Sequence, residues 1–340
     1  MPGKRAFLRA LAGYLPAAVF TNEDIAEQYP KWSGESILEK IGIGKRHIAA
    51  AQEGVSDMAV KAALALFAEN PDIKKEEIDF VILCTQSADF TIPTTACIVQ
   101  HELKLKKEVG AFDYNLGCSG FVYGLGIAKG LVVSGQANGV LLITAEVYSK
   151  RIHPDDFKNR SLFGDAAVAV FVSDTPRASA GEILDFCYAT DGEKYDKLIR
   201  FNSGNTISGK EERFPVKYAE TSYGNEFLYM DGQAIFEFTL MNVPGLIDRT
   251  LAKNNLEKSQ IDLFVLHQAN KFMLEAIRKR AKIDDEKFYN SMKEVGNTVS
   301  STIPLALIDA IKDQKIQAGN KVLLAGFGVG LPMAGCILSY

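Results

Sequence analysis

The stretch GAFDYNLGCSGFVYGLGIAKG occupies residues 110–130. Its apolar start, residues 111–114, has the composition of a strand; it breaks at Asn115, Leu116 and Gly117 and restarts as a glycine-studded helix. Cys118 falls at that restart, and the pattern places it on the first helical turn. There, unpaired backbone N–H groups and the positive end of the helix dipole favour thiolate over thiol, and the same N–H groups can hold a developing oxyanion. A free cysteine has a pKa near ~8.5, and the dipole alone does not bring it to neutrality, so a second activating group is expected. A plainer reading stands beside this one. Small buried cysteines are common in closely packed helices, and Gly117, Gly120, Gly124, Gly126 and Gly130 would let this helix approach its neighbours.

A chain of 340 residues has material for two domains or one large duplicated one. Its net charge is −4 with both signs interspersed, which lacks the basic face of a nucleic-acid binder. The five cysteines form no CxxC pair and have no histidine at ligand spacing. Neither a structural zinc site nor a disulfide framework is expected, and a reducing, cytoplasmic compartment fits. Lys4, Arg5 and Arg9 before the apolar residues 11–20 imitate a signal peptide, but Gly13 and Pro16 interrupt the run. Thr21-Asn22-Glu23-Asp24 then has the form of a capping box, so a strand, a turn and a helix are expected. No apolar stretch reaches the ~18 residues of a membrane span, so a soluble protein is expected.

Further along, residues 36–41 read as a short helix ending at a turn marked by Gly42 and Gly44, and the basic trio Lys45, Arg46 and His47 is expected to face solvent or an anionic ligand. Ser56 is positioned to cap a helix running to Glu69, and residues 80–84 form an apolar strand. The same passage recurs later. Residues 73–83 read IKKEEIDFVIL and residues 256–266 read LEKSQIDLFVL; residues 139–142 (GVLL) match 321–324 (KVLL), and Gly117-Cys118-Ser119 matches Gly296-Asn297-Thr298 at a second expected helix start. Three matches in one order, offset by roughly 180 residues, indicate an internal duplication with halves 1–175 and 176–340. An approximate two-fold between the halves would bring Cys118 toward Asn297. His267, directly after the strand at 263–266, sits at a carboxyl strand end, where α/β sheets present ligands.

Of the four histidines, His101 falls in a helical segment, while His153 and His47 lie in polar or turn surroundings; only His267 joins the matched sites. Cys118, His267 and Asn297 together suit thioester chemistry. The thiol takes the acyl group with imidazole assistance, and imidazole N–H and carboxamide donors stabilise an enolate oxygen. No metal or cofactor is required. Gly326-Phe327-Gly328-Val329-Gly330 follows a strand and could bring backbone N–H groups to a reacting carbonyl, a second oxyanion donor beside Cys118; the same glycines also suit a tight turn between two closing strands. It is not a phosphate loop, because no GK[ST] follows.

On GIGKRHIAA at 42–50, the Cys118 turn, LFGDAA at 162–167, HQAN at 267–270, GNT at 296–298 and GFGVG at 326–330, the chain resembles the β-ketoacyl-acyl-carrier-protein synthase III family of the thiolase superfamily over nearly its whole length. The resemblance implies an α/β, duplicated five-layered αβαβα sandwich, a homodimer, and a triad falling on Cys118, His267 and Asn297, with the backbone N–H groups of Cys118 and Val329 as oxyanion hole. It also implies transfer of an acyl group from coenzyme A or an acyl carrier protein to the cysteine, then decarboxylative Claisen condensation with malonyl-acyl carrier protein, as in fatty acid biosynthesis.

Departures from the family's pattern bear on recognition. Lys40 stands where an arginine near coenzyme A phosphates is common, and Ser36 replaces an adenine-stacking tryptophan, with Trp32 four residues upstream. Phe272 replaces the arginine after HQAN, with Lys271 adjacent. Lys40, Arg46, Lys271 and Phe272 are therefore the candidate substrate or carrier contacts. Residues 190–230 are expected to cover the acyl tunnel, and Phe90 or Ile92 in the loop at 85–93 to reach a partner subunit. Acyl transfer to an oxygen or nitrogen acceptor, and a non-catalytic acyl-binding scaffold, are the alternative functions.

Overall fold

A computed structural model describes residues 4–177, 179–201, 223–224 and 226–340. The first half runs β1 (Phe7–Tyr14), β2 (Ala18–Thr21), α1 (Asn22–Gln28), α2 (Gly34–Ile41), β3 (Lys45–Ile48), α3 (Val55–Glu69), β4 (Phe80–Cys84), α4 (Thr95–Glu102), β5 (Gly110–Tyr114), α5 (Gly120–Val133), β6 (Gly139–Glu146), α6 (Phe157–Leu162) and β7 (Ala166–Ser173). The second continues with β8 (Gly181–Ile183), β9 (Cys187–Thr190), β10 (Leu198–Ile199), β11 (Tyr229–Met230), α7 (Gly232–Lys253), β12 (Leu263–Leu266), α8 (Lys271–Arg280), α9 (Thr302–Lys312), β13 (Lys321–Phe327) and β14 (Pro332–Ser339). The stretch at 202–222, part of the expected tunnel cover, lies outside the described residues.

The repeated sequence is a repeated structure. Asp79 and Asp262, the aspartates of the two ID pairs, each donate a backbone N–H across the sheet, to Gly139 O at 2.8 Å and to Lys321 O at 2.9 Å. Each also accepts from the start of the neighbouring strand through Oδ2, from Asn138 N–H and from Lys321 N–H. These paired bonds set equal registers: β4 runs parallel to β6 with Phe80 opposite Val140, and β12 parallel to β13 with Leu263 opposite Val322. The sheet order is β5-β4-β6-β7-β1 in one half and β12-β13-β14-β8 in the other, and β8 pairs with both β1 and β14, which fuses the two.

Strands β6 and β7 are buried at every position, as strands covered on both faces must be. α5 is apolar nearly all round, which only a helix enclosed by protein tolerates. It packs with Ile303, Leu305 and Leu307 of α9 between the two sheets, in one cluster holding Val168 and Val170 of the first half and Val322 and Leu324 of the second. α3 and α4 cover the outer face of one sheet, and α7 and α8 that of the other. The layers are therefore helix, sheet, helix, sheet, helix. Among the described residues, no helix is long and apolar enough to cross a membrane.

At the amino end, Thr21 and Asp24 form the reciprocal capping box that opens α1, with Thr21 N–H donating to Asp24 at 2.7 Å and Asp24 N–H to Thr21 Oγ1 at 3.1 Å. The start of α3 differs from expectation. It begins at Val55, and its Val55 and Ser56 N–H groups donate to the Asp89 carboxylate. Ser56 is a capped residue because a distant aspartate satisfies the helix start better than its own hydroxyl.

Arg46 overturns its assignment as a substrate or carrier contact. In β3 the alternation turns Arg46 fully inward, where its guanidinium donates to Phe20 O, Asn22 Oδ1 and Ser161 O. Burial lowers its pKa to about 10, which leaves it charged, and it ties the antiparallel β2–β3 pair to α6. Its neighbours are engaged too: Lys45 pairs with Glu294 at 2.9 Å, and His47 Nδ1 lies 2.6 Å from Pro16 O.

Candidate active site

Cys118 lies in the turn just before α5, whose first residue is Gly120, and not within the helix itself. Gly120 N–H closes that turn on Gly117 O at 2.7 Å. The β13–β14 turn lies against it: a Cβ on Gly328 would stand 2.6 Å from Cys118 Cβ and 2.8 Å from Sγ, so only glycine admits this approach. The backbone N–H groups of Val329 and of Cys118 itself face the thiol.

His267 follows β12 and donates its backbone N–H to Ala325 O at 2.9 Å, which places its ring beside β13, edge-on to Phe327 at 5.6 Å. Its Nδ1 lies 2.7 Å from Thr302 Oγ1, and that hydroxyl lies 3.0 Å from Val299 O. Val299 holds φ at 56°, a strained value for a β-branched residue, and this conformation presents its carbonyl to Thr302 and its N–H to Asn297 Oδ1 at 3.0 Å. Asn297 is gripped from the first half by the neighbours of Phe163, since Asn297 N–H donates to Leu162 O at 2.9 Å and Asn297 O accepts from Gly164 N–H at 3.0 Å. With Oδ1 held by Val299, the amide group Nδ2 is left as donor, one contact reaching Ala269 O at 3.4 Å.

These elements enclose a cavity of about 460 Å³ lined by Cys118, His267, Asn297, Phe163, Phe327 and Gly328. One thiol from the first half and an imidazole and carboxamide from the second share that space. Gly232, Ile235 and Thr239 of α7 form part of its wall.

Burial dominates the electrostatics. It pushes the Cys118 thiol up to about 12, against the lowering by the Val329 and Cys118 N–H groups, with Glu146 raising it further. The expectation of a thiolate at a helix start is therefore corrected: desolvation outweighs the turn's N–H groups. Burial also lowers His267 to about 3, so the resting pair is a neutral thiol and a neutral imidazole.

Glu146, at the end of β6, carries no marker in the sequence yet lies beneath this site. Its buried carboxyl receives Gln86 N–H at 3.1 Å, Ser87 Oγ–H at 2.6 Å and Ser300 Oγ–H at 3.2 Å, joining both halves. Burial raises its pKa from 4.5 to about 8. A raised carboxyl contributes stability that is complete below the unfolded value and is lost as pH rises through the folded one. Glu146→Gln, which cannot ionise, should melt with the wild type at about pH 5 and above it at about pH 9 in thermal scans. Glu146→Ala should lose about 1–3 kcal/mol at either pH by stranding its donors.

Of the candidate recognition residues, Lys40 and Phe272 line the cavity, and Arg46 and Lys271 do not. Lys40 lines the cavity with its Nζ 4.1 Å above the Trp32 ring, and Trp32 stacks on Phe157 at 5.0 Å. Phe272 lines it as well, is 65 % exposed and stacks on Phe236 at 5.1 Å. Lys271 is exposed at the start of α8 and packs its Cβ beside Gly42, outside the lining. In LFGDAA, Asp165 is structural: it accepts Ala49 N–H at 2.8 Å and Ser149 N–H at 2.9 Å.

A fused pair of αβα halves with a cysteine turn, a strand-end histidine and an asparagine turn around one cavity defines a condensing enzyme of the thiolase fold. The chain belongs to the 3-oxoacyl-[acyl-carrier-protein] synthase III family. Residues 112–192 match the model for 3-Oxoacyl-[acyl-carrier-protein (ACP)] synthase III, and residues 251–340 the model for its C-terminal part. The chain is 35 % identical over 328 residues to the β-ketoacyl-[acyl-carrier-protein] synthase III of Methylococcus capsulatus, covering 96 % of this chain and 97 % of that one. It is 35 % identical over 338 residues to the Lactococcus lactis enzyme of the same name, covering 98 % and 99 %. A 2.1 Å crystal structure of a 3-oxoacyl-(acyl-carrier-protein) synthase III superimposes with TM-score 0.92 at 44 % identity, covering 99 % of this chain and all of that one. The Pseudomonas aeruginosa enzyme superimposes with TM-score 0.86 at 31 % identity, covering 99 % and 98 %.

Proposed function

We propose that Cys118 is the acyl-accepting nucleophile, that Cys118 and Val329 N–H groups form its oxyanion hole, and that His267 and Asn297 hold the enolate. The shared cavity is the observation that carries this reading. In loading, Cys118 sulfur bonds to the carbonyl carbon of an acyl-coenzyme A or acyl-carrier thioester, the donor's carbon–sulfur bond breaks, and the cysteine proton passes by way of His267 Nε2 to the departing thiolate. Malonyl-acyl carrier protein then places its thioester oxygen against His267 Nε2–H and Asn297 Nδ2–H. Its carbon–carboxylate bond breaks, carbon dioxide leaves, and the enolate carbon displaces the Cys118 sulfur to give a 3-oxoacyl thioester.

The two steps ask opposite things of Nε2, acceptor first and donor second. Thr302 supplies both. With its proton on Val299 O, its hydroxyl accepts Nδ1–H and leaves Nε2 bare; with its proton on Nδ1, Nε2 carries hydrogen.

The test is product mass after incubation with acyl-coenzyme A and malonyl-acyl carrier protein. A 3-oxoacyl product, extended by the malonyl-derived unit with release of carbon dioxide, supports condensation; an unextended acyl ester or amide overturns it. The neutral resting pair adds a second expectation: iodoacetamide should alkylate Cys118 slowly at neutral pH, its rate still climbing above pH ~8.5, where a free thiol levels off.

The halves 1–175 and 176–340 are proposed as the two thiolase-like units, one carrying the nucleophile and the other the enolate pair. A homodimer is proposed along β5, the terminal strand of the sheet, beside which Phe90 and Ile92 are 58 % and 86 % exposed. The cytoplasm is the proposed compartment, supported by five cysteines that are all free.

A further inference from the structure

A further cavity, about 700 Å³, lies against β2 and β3, and among the described residues its lining has Phe163 alone in common with the active-site cavity. None of that lining comes from β5 or from the loop at 85–93. Phe163 is held from two directions. Its backbone bridges that of Asn297, and the flanking Leu162 O and Gly164 N–H are bonded to the same asparagine. Its ring packs on the Tyr148 ring at 5.3 Å, and the Tyr148 hydroxyl donates to Gln86 Oε1 at 2.6 Å. A ring that is 3 % exposed and buttressed in this way has no free volume to swing into, so it acts as a wall.

The far chamber offers apolar surface. Phe20, Ile48, Ala49 and Ile152 line it, and Ile152 belongs to the same apolar cluster as Phe163 and Cys118. Its polar side chains already have partners. Ser149 Oγ–H donates to Asp165, Lys150 Nζ donates to Ala51 O at 2.9 Å and Glu53 O at 2.6 Å, and Arg160 Nη1 donates to Gln28 Oε1 at 2.6 Å and Pro154 O at 2.7 Å. The Arg160 guanidinium also lies 4.8 Å from the centre of the Phe20 ring. No side chain of the lining has a buried polar atom without a partner, so nothing there calls for a polar ligand, and hydrocarbon is what the chamber suits.

We propose that Phe163 sets the length of the acyl group that Cys118 accepts, by standing between the active-site cavity and an apolar chamber that takes the tail of a longer chain once the ring is cut back. This rests on Cys118 as the loaded residue, and it names the acyl class that the residue accepts, short straight chains. The cavity of about 460 Å³ holds the arm of the donor thioester as well as the acyl group, so a long chain meets the Phe163 ring and overpacks a wall that does not yield. The thioester exchange is the one already given, and Phe163 takes no part in making or breaking its bonds.

The test reads loading rates by intact-protein mass for acetyl, butyryl, hexanoyl, octanoyl and decanoyl thioesters, each offered on coenzyme A and on acyl carrier protein. The wild type should load acetyl or butyryl about tenfold or more faster than decanoyl. Phe163→Ala should raise the decanoyl rate about tenfold or more while still loading the short donors, which shows that the variant is folded. Phe163→Leu, the milder change, should move the limit in the same direction by less. Val19→Trp, at a chamber residue that is 42 % exposed, should leave the wild-type preference unchanged and cancel the gain when combined with either Phe163 variant. A merely loosened active site would not show that cancellation. Wild-type loading of decanoyl as fast as the short donors, an unchanged preference in both Phe163 variants, or a gain that survives Val19→Trp overturns this inference alone. Absence of any adduct on the wild type from every donor overturns the Cys118 reading and this inference with it.

Discussion

Cys118→Ala is expected to take up no acyl group from any thioester and to form 3-oxoacyl product on the order of 10⁴-fold more slowly than the wild type or worse. None of the other four cysteines lines the cavity of His267 and Asn297, and Cys84 and Cys336 are in addition fully buried with their pKa raised by desolvation. Release of carbon dioxide from malonyl-acyl carrier protein should nevertheless persist within about tenfold, because His267 and Asn297 are held by Thr302, Val299, Leu162 and Gly164 and not by the Cys118 side chain. Intact mass, carbon dioxide release and product mass on one preparation separate these outcomes. An adduct on the alanine variant at the wild-type rate would place the nucleophile elsewhere.

The parts legible in the sequence are those carried by local chemistry. The two ID-plus-apolar passages announce equivalent strands because each aspartate makes the same bonds to the start of its neighbour, and Thr21 with Asp24 caps α1 from within four residues. The placements of Cys118, His267 and Asn297 were legible for the same reason: each marks a break at an element end. What distant residues decide was not legible. Arg46 sits in a strand of four residues, where sequence alone does not say which face turns inward. Asp89 takes the start of α3 from Ser56, and Glu146 acquires its meaning from Ser87 and Ser300 on other segments. The thiol's high pKa is likewise a product of burial, which only the assembled cavity imposes.

Removing the enolate donors should separate the two half-reactions. Asn297→Ala leaves Cys118, Val329 N–H and His267 in place, so acyl loading should stay within a few fold of wild type, while carbon dioxide release and condensation fall by about 10²–10³-fold, the usual loss of one oxyanion donor. His267→Ala should impair both halves, since the imidazole carries the proton in loading and donates in the second step. Thr302→Val keeps the volume but strips Nδ1 of its partner at 2.7 Å; it should slow the full cycle more than either half-reaction measured singly, because the histidine loses the hydroxyl that serves both tautomers. The pH dependence follows from burial. A depressed folded pKa keeps the imidazole neutral as pH falls through 6.5, so carbon dioxide release should show no histidine limb near that value and decline only in far more acid solution. Loss of loading in Asn297→Ala as severe as the loss of decarboxylation, with the fold intact by circular dichroism, would remove the carboxamide from the enolate site and put it beside the nucleophile instead.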